Sequence, residues 1–502
     1  MRKVLLVNWD SYPNVTFGGI YSWEKTLVEN MPEYEFTVIN LLSNPNVNGK
    51  FEVPSQVKQV IDVPLFGSHR YEEFYDEGGN RSFLKKIVNT KERIIQEQFV
   101  PLFGQFLENV ISNDCHPTKL TEQVFALHKF LQVYDLRKCL EHRQAWETFI
   151  GLLEKDPLYS EMTIREALTA FQIIQRNMQI LSLEIPKVDL VHCSLAWFPS
   201  MIAISAKMEY NCPVIITEHG VAFRELLLYY NAYLRDEASN IFWKLFSANI
   251  VRAVYTIADV IAPVCRANAK WEEDLGVPAS KIKVIYNGVN TSKFCPVKVK
   301  REDQRPTVAC IGRVDVFKDI VNLIQSIKYV RNELPDIQCL IYGASTDLEY
   351  SIRCIKMVED LGLNDNIRFM GKVKDPEMAY NLADVAVISS ITEGFPFAII
   401  EAMACGKGIV ATDVGGIKEA LEGCGLLVRS SHPQELGNAI IRLLKDEKLR
   451  LTLGEAALKR VQEGFTLEQS IGQYRQEYNR LIEVYAHKQA ASAPVAKEVT
   501  IA

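Results

Sequence analysis

Two carboxylates, Glu393 and Glu401, stand with seven residues between them in the run EGFPFAIIE. Gly394 and Pro396 follow the first acid; glycine tolerates an unusual backbone and proline suits a helix's first turn. Ahead of them the apolar, partly β-branched run VAVIS at 385–389 reads as a buried strand. The acids therefore fall where a strand passes into a helix. A helix N-terminus offers unpaired N–H groups and the positive end of the macrodipole, which together attract anions. Carboxylates there would accept hydrogen bonds from sugar hydroxyls while backbone amides receive a phosphate. Taken alone, the pair reads equally well as two solvated helix glutamates.

A second motif upstream carries the opposite charge. An apolar strand, TVAC at 307–310, is followed by IGRVDVFKD at 311–319. Gly312 thus precedes Arg313 and Lys318, two cations five positions apart at the entrance to a helix. Arginine presents a planar fork to phosphate oxygens and lysine adds a compact charge. Together they would neutralise a departing diphosphate without a metal ion. No Asp-x-Asp pair, the usual holder of a divalent ion against a nucleoside diphosphate, stands at a strand end, so neither metal nor cofactor is expected. A lone Arg–Lys pair is ordinary on a solvated loop; two complementary motifs on strand–helix units of one half-chain are not.

Such motifs need a sheet to hold them. Strands are expected at 307–311, 338–343, 367–371, 385–389, 408–412 and 426–429, alternating with helices. Alternation of this kind means a parallel sheet covered on both faces, with ligands at the carboxyl ends of its strands. The charged run 294–306, flanked by Pro296 and Pro306, reads as an interdomain linker. It divides a domain at 1–296 from one at 297–466. A final amphipathic helix is expected near 467–487, then an Ala- and Ser-rich tail, 488–502, expected to be disordered.

The first half follows the same logic less regularly. A strand at 4–8 leads through a loop to Gly18-Gly19 and a helix at 20–30; further strands are expected at 188–192, 213–217, 259–264 and 281–286. Glu218-His219-Gly220 sits at the exit of one of them, and His192, at the end of another, reads as structural. Residues 67–186 form a long insertion. Phe99, Leu102, Phe103, Phe106, Leu107 and Val110 recur at spacings of three and four, and further helices are expected at 121–131 and 164–183. The insertion is too rich in Phe, Leu and Ile to stay unfolded, and reads as a helical subdomain that serves a partner, gates an acceptor or only packs. His116, His128 and His142 within it fit no metal-site spacing.

Composition sets the class. A chain of 502 residues is too long for one core, and 48% hydrophobic with 24% charged residues is ordinary for globular proteins. A net charge of −6 provides no broad attraction to nucleic acid or anionic lipid. Eleven scattered cysteines without a C-x-x-C pair suggest reduced, buried thiols. MRKVLLV at the start reads as a first strand rather than a signal peptide, and no apolar run approaches the ~20 residues of a membrane span. A cytoplasmic enzyme is expected.

These motifs together resemble the retaining GT-B glycosyltransferases of the GT4 type. The carriers are Asn287-Gly-Val-Asn290 with Phe294, Gly312-Arg313 with Lys318, the EGFPFAIIE run, Ala402 to Gly406, and Gly415-Gly416 with Glu419. The resemblance covers about residues 280–430. It implies two Rossmann-like, doubly wound parallel-sheet domains facing across a cleft, the first carrying the helical insertion. It also implies that Arg313 and Lys318 hold the donor diphosphate, that Glu401 takes the nucleotide ribose and that Glu393 meets the donor sugar. Gly394, Phe395, Pro396, Gly18, Gly19 and, near the base, Val373 would complete donor binding, and His219 would stand beside the donor sugar as a catalytic group. The final helix would return to the first domain. The insertion, VDLVHC at 188–193 and TEHGVAFRE at 217–225 narrow the similarity to the cytosolic glycosyltransferases of bacterial Pel exopolysaccharide synthesis. That narrower resemblance implies a UDP-sugar donor, a growing polysaccharide acceptor, and recruitment to an inner-membrane synthase complex at its cytoplasmic face. A GT-B epimerase would share the architecture, and a non-catalytic UDP-sugar-binding scaffold would share the site.

Overall fold

Short apolar runs, many of them rich in β-branched residues, become parallel strands in both halves of the described chain. The computed structural model describes residues 1–15, 18–43, 53–66, 80–234, 236–301, 303–345 and 347–492. It divides into two units: Met1–Pro263 with Lys270–Lys283 and the segment from Arg475, and Val264–Ala269 with Val284–Tyr474.

The first unit is built on β1 (Arg2–Trp9), β2 (Tyr34–Leu42), β3 (Val57–Pro64), β4 (Leu190–Cys193), β5 (Val214–Glu218) and β6 (Val260–Pro263). They form one parallel sheet in the order β3-β2-β1-β4-β5-β6. Helix α1 (Gly19–Glu29) returns from β1, α2 (Ala222–Tyr233) leaves β5, and α3 (Glu237–Ile257) follows it. Strands β2 and β3 were not among the expected ones, although both carry Val and Ile, and β2 adds Tyr and Phe. The expected strand at 281–286 does not form: Ile282 makes one isolated bridge to Ile261, and the chain then leaves the unit.

The insertion is helical from Asn80 to Ser182, and residues 67–79 of it lie outside the described ones. Phe99, Phe103, Phe106, Leu107 and Val110 are fully buried, in one apolar cluster with Leu5, Val191 and Ile216 of the sheet. The insertion therefore shares the sheet's core instead of forming a core of its own. His192 explains part of the unit's other face. Its Nδ1 pairs with the Tyr478 hydroxyl at 2.6 Å and its Nε2 with Thr217 Oγ1 at 2.8 Å. The second half of the final helix, Leu467–Ser492, is also held by Arg475 donating to Glu33 and Tyr485 donating to Asp259. The helix runs on through 488–492, where a disordered tail was expected; the rest of that tail, 493–502, lies outside the described residues.

The second unit holds β7 (Thr307–Ile311), β8 (Gln338–Tyr342), β9 (Ile367–Gly371), β10 (Val385–Ile388), β11 (Gly408–Thr412) and β12 (Leu426–Val428). Its parallel order is β12-β11-β10-β7-β8-β9. Alternate side chains divide between two clusters: Ala386 and Ile388 pack on one face, Val385 and Val387 on the other. Helix α4 (Phe397–Ala404) follows β10. The observed change of unit at 283/284 lies ahead of the proline-flanked segment expected to mark it. Asn287 Nδ2 donates to Phe395 O at 2.8 Å, Val289 bridges to Thr466, and Phe294 is buried with Phe395 and Phe465. These contacts bind 284–296 to the second unit. Arg301 grips Asp384 through two bonds of 2.9 and 3.0 Å, so the charged segment is anchored there too.

Candidate functional site

The sheet order makes β7 and β10 neighbours, so the loops carrying the two motifs leave adjacent strand ends. After β7, Gly312 and Arg313 lead into a short 3-10 turn, Val316–Lys318, capped by Asp315, whose Oδ1 accepts from Lys318 N at 3.0 Å. After β10 the chain runs through Ser389 and Ser390 to Glu393. Lys318 Nζ donates to Glu393 Oε1, which also accepts from Ser390 Oγ at 2.6 Å. Ser389 Oγ donates to Lys318 O at 2.7 Å and Thr412 Oγ1 to Ser390 O at 2.6 Å, so the loops are fastened by their hydroxyls. Gly312, Lys318, Ser389, Ser390 and Glu393 line a narrow crevice. Arg313 follows Gly312 in the same loop, half-exposed, with Nε 3.1 Å from Asp315 Oδ2.

Two glycines let backbones meet behind this pair. Gly415 has φ +53°, and a Cβ there would fall 1.9 Å from Glu393 O; Gly416 N donates to Gly394 O at 2.7 Å. A side chain at either position would push the Glu393 loop away from Lys318. Pro396 stands at the N-cap of α4, ahead of the first helical residue, and leaves the helix's first N–H groups without intrahelical partners. The Phe395 ring is committed to the core, packed on Tyr286 and Phe465 at centroid distances of 5.0 Å each. What Phe395 can offer a ligand is backbone.

Glu401 lies one turn into α4. Burial pushes its carboxyl up to about 7, opposed by the nearby Lys293 cation and reinforced by Glu377. Lys293 Nζ itself stands 3.5 Å from Glu377 Oε2. A carboxyl poised near neutrality can accept hydroxyl hydrogen bonds as a carboxylate or donate as an acid. Val373 follows β9 and packs beside Ala309, Tyr342, Ala379 and Ala383.

The remaining expected residues lie in the first unit. Gly18 takes φ +103° at the N-cap of α1, and Gly19 is that helix's first residue; both are exposed. His219 follows β5 and meets the Trp23 ring edge-on, with centroids 4.7 Å apart. Burial holds its imidazole down at about 3, so at pH 7 it is neutral and has hydrogen bonding, not charge, to offer a ligand. The turn that carries it is strained: Val221, a β-branched residue, has φ +55°. Glu218 braces this turn by accepting from Ala196 N, Ala222 N and the Tyr255 hydroxyl, at 3.1, 3.1 and 2.8 Å.

Ser390, Glu377 and Lys293 had no sequence signal as site residues. Ser390 lies just past the strand expected at 385–389, while the Lys293–Glu377 contact joins segments 84 positions apart. Glu419, noted for its motif, caps the helix Arg266–Asp274: it accepts from Arg266 N at 2.9 Å and Ala267 N at 2.8 Å.

Residues 2–280 match the family described as domain of unknown function (DUF3492), more than half of the chain. The chain belongs to this family. Residues 293–460 match the group 1 glycosyl transferases, and this second match takes in Arg313, Lys318, Glu393 and Glu401. It makes the chain a glycosyltransferase in class. An uncharacterized glycosyltransferase of Methanocaldococcus jannaschii is 27% identical over 56% of this chain and 71% of its own length. The N,N'-diacetylbacillosaminyl-diphospho-undecaprenol alpha-1,3-N-acetylgalactosaminyltransferase of Campylobacter jejuni is 29% identical over 47% of this chain and 66% of its own. Anabaena HepE, solved in complex with UDP, matches at a TM-score of 0.59 and 16% identity, over 96% of this chain and 100% of that one. That likeness is one of fold: two Rossmann-like parallel sheets of the GT-B type. Among the described residues no helix is long and apolar enough to cross a membrane.

Proposed function

We propose that the enzyme moves a hexosyl unit from a UDP-sugar, UDP-glucose or a UDP-N-acetylhexosamine, to a growing exopolysaccharide, with retention and without a metal ion, in the manner of PelF of Pel polysaccharide synthesis. The observation that carries the reading is the meeting of Lys318 and Glu393 at adjacent strand ends, with Arg313 on the same loop as Lys318. The uridine donor is supported by the UDP bound in the HepE structure. The Campylobacter relative, named for a polyprenol-linked acceptor, supports a carrier-bound or polymeric glycan as acceptor. Recruitment to an inner-membrane synthase complex belongs to the same proposal.

In the reaction so conceived, the bond from the sugar's anomeric carbon to the β-phosphate oxygen breaks and its electron pair leaves with the diphosphate. Lys318, Arg313 and the α4 first-turn amides stabilise the charge that develops there, an oxyanion-hole type of effect. The acceptor hydroxyl oxygen bonds to the anomeric carbon on the same face, and its proton passes to the leaving phosphate. Glu393 and neutral His219 orient the sugar by hydrogen bonds, and Glu401 takes the ribose. The test is NMR of the glycoside formed, with and without a chelator. Retained configuration and unchanged rate support the proposal; inversion, or loss of rate with the chelator, overturns it.

A further inference from the structure

Helix α2 leaves β5 through the Glu218–Val221 turn and carries an exposed stripe that the donor site does not use. Its first turn lies at the carboxyl end of β5, the end at which parallel sheets take their ligands. Glu225, Tyr229 and Tyr233 recur every four residues, so they share one face and rise by about 6 Å per step. The Glu225 carboxylate lies over Gly220, beside His219. Tyr229 and Tyr233 are 53% and 63% exposed, and their rings meet at a centroid distance of 4.7 Å and an angle of 35°.

This ledge is fixed from beneath. Tyr230 is buried, its hydroxyl paired with Ser247 Oγ at 2.7 Å, and its ring lies 6.1 Å from that of Tyr229. Beyond Tyr233 the stripe enters a shallow concavity of about 260 Å³ lined by Leu234, Asp236, Glu237, Asn240, Ile241 and Lys244. Asn240 Nδ2 donates to Tyr230 O at 3.2 Å, which joins the concavity's wall to the ledge.

Flat aromatic faces followed by a rim of carboxylate, amide and ammonium groups match a sugar ring, with its apolar C–H face and its belt of hydroxyls. A protein hot spot would instead be centred on a desolvated apolar pocket depleted of charge, whereas four of the six lining residues here are polar or charged. Glu225, Asp236 and Glu237 outnumber Lys244 among the residues named, a balance that disfavours an anionic lipid surface. We propose that the Glu225–Tyr229–Tyr233 stripe and the concavity beyond it are a subsite for a glycan chain, holding acceptor residues behind the growing end. This deepens the reading of the chain as a polysaccharide glycosyltransferase and rests on it.

The full chain, its Tyr229→Ala/Tyr233→Ala variant and its Tyr229→Phe/Tyr233→Phe variant are titrated with β-1,4-linked N-acetylglucosamine hexamer, with maltohexaose and with UDP. A hexamer should bind the wild type and the phenylalanine variant, which keeps the ring faces, and bind the alanine variant about tenfold or more weakly. UDP should bind all three equally. The subsite is overturned if neither hexamer binds the wild type, or if the alanine variant binds as well as it does. Failure of UDP to bind any of them would strike the donor reading and leave the hexamer result to decide the subsite by itself.

Discussion

Replacing Glu393 by glutamine separates two effects of its carboxylate. That carboxylate receives the Lys318 ammonium, the cation proposed to meet the donor's diphosphate. The two side chains are 23% and 10% exposed. A unit pair about 4 Å apart is worth ~4 kcal/mol at an effective dielectric of ~20. Solvent on the lysine side reduces this to about 1 kcal/mol, the upper range of partly exposed pairs. Glutamine keeps the shape and the Ser390 contact but releases Lys318, so UDP should bind Glu393→Gln about fivefold more tightly than the wild type. Lys318→Met, in contrast, loses a charge-assisted hydrogen bond worth about 1.5–3 kcal/mol, so UDP should bind it about 10–150-fold more weakly. Turnover should fall in both variants, by about 10²–10³ for the lysine. Calorimetric titration with UDP reads the affinities, and UDP release at saturating donor reads the turnover. The tightening in the glutamine variant should also shrink as salt is raised. If Glu393→Gln loses UDP as severely as Lys318→Met, the carboxylate does not compete with the diphosphate for the lysine, and the reasoning fails.

Other substitutions probe the scaffold around the site. Gly415→Ala places a Cβ 1.9 Å from Glu393 O at φ +53°, so Tm should drop by about 2–8 °C and donor turnover with it; an unchanged melt would contradict the packing described. Glu272 is fully buried, its two oxygens have no hydrogen-bond partner among the described residues, and burial pushes its carboxyl up to about 9. The folded chain thus holds a proton that the unfolded chain releases above about 4.5, so this contribution is complete below that pH and is lost as pH rises through about 9. Glu272→Gln should therefore gain about 4 kcal/mol on the wild type between pH 5 and pH 8, visible as a flatter plot of Tm against pH; parallel plots would refute it. Tyr478→Phe leaves a buried ring nitrogen of His192 without the hydroxyl it meets, and should cost about 1–3 kcal/mol in urea unfolding without changing UDP affinity.

The second unit was the more legible half, for a physical reason. Runs such as TVACI and GIVAT are short, β-branched and buried on both faces, and each ends in glycine or a polar turn, so periodicity and punctuation agree. The first unit mixes its signals. YEFTVINLL and VKQVIDVP are strands that no flanking motif announced, and KIKVIY at 281–286 has strand composition but is drawn away when Tyr286 packs on Phe395 and Phe465. Helix periodicity in the insertion was plain from Phe99 onward, but nothing local told that those rings would join the sheet's own core. The Lys318–Glu393 contact spans 75 positions, and only the adjacency of β7 and β10 brings it about. Buried acids such as Glu218 and Glu272 were invisible because a glutamate's burial is decided by what folds over it.

The most direct test of the central claim is nucleotide release from the purified chain offered UDP-glucose, UDP-N-acetylhexosamine, GDP-mannose and ADP-glucose separately, beside Arg313→Ala and Glu401→Ala. The account predicts slow release from a UDP-sugar alone, abolished in both variants. Release from no donor together with no binding of UDP, or release that survives both substitutions, would contradict it.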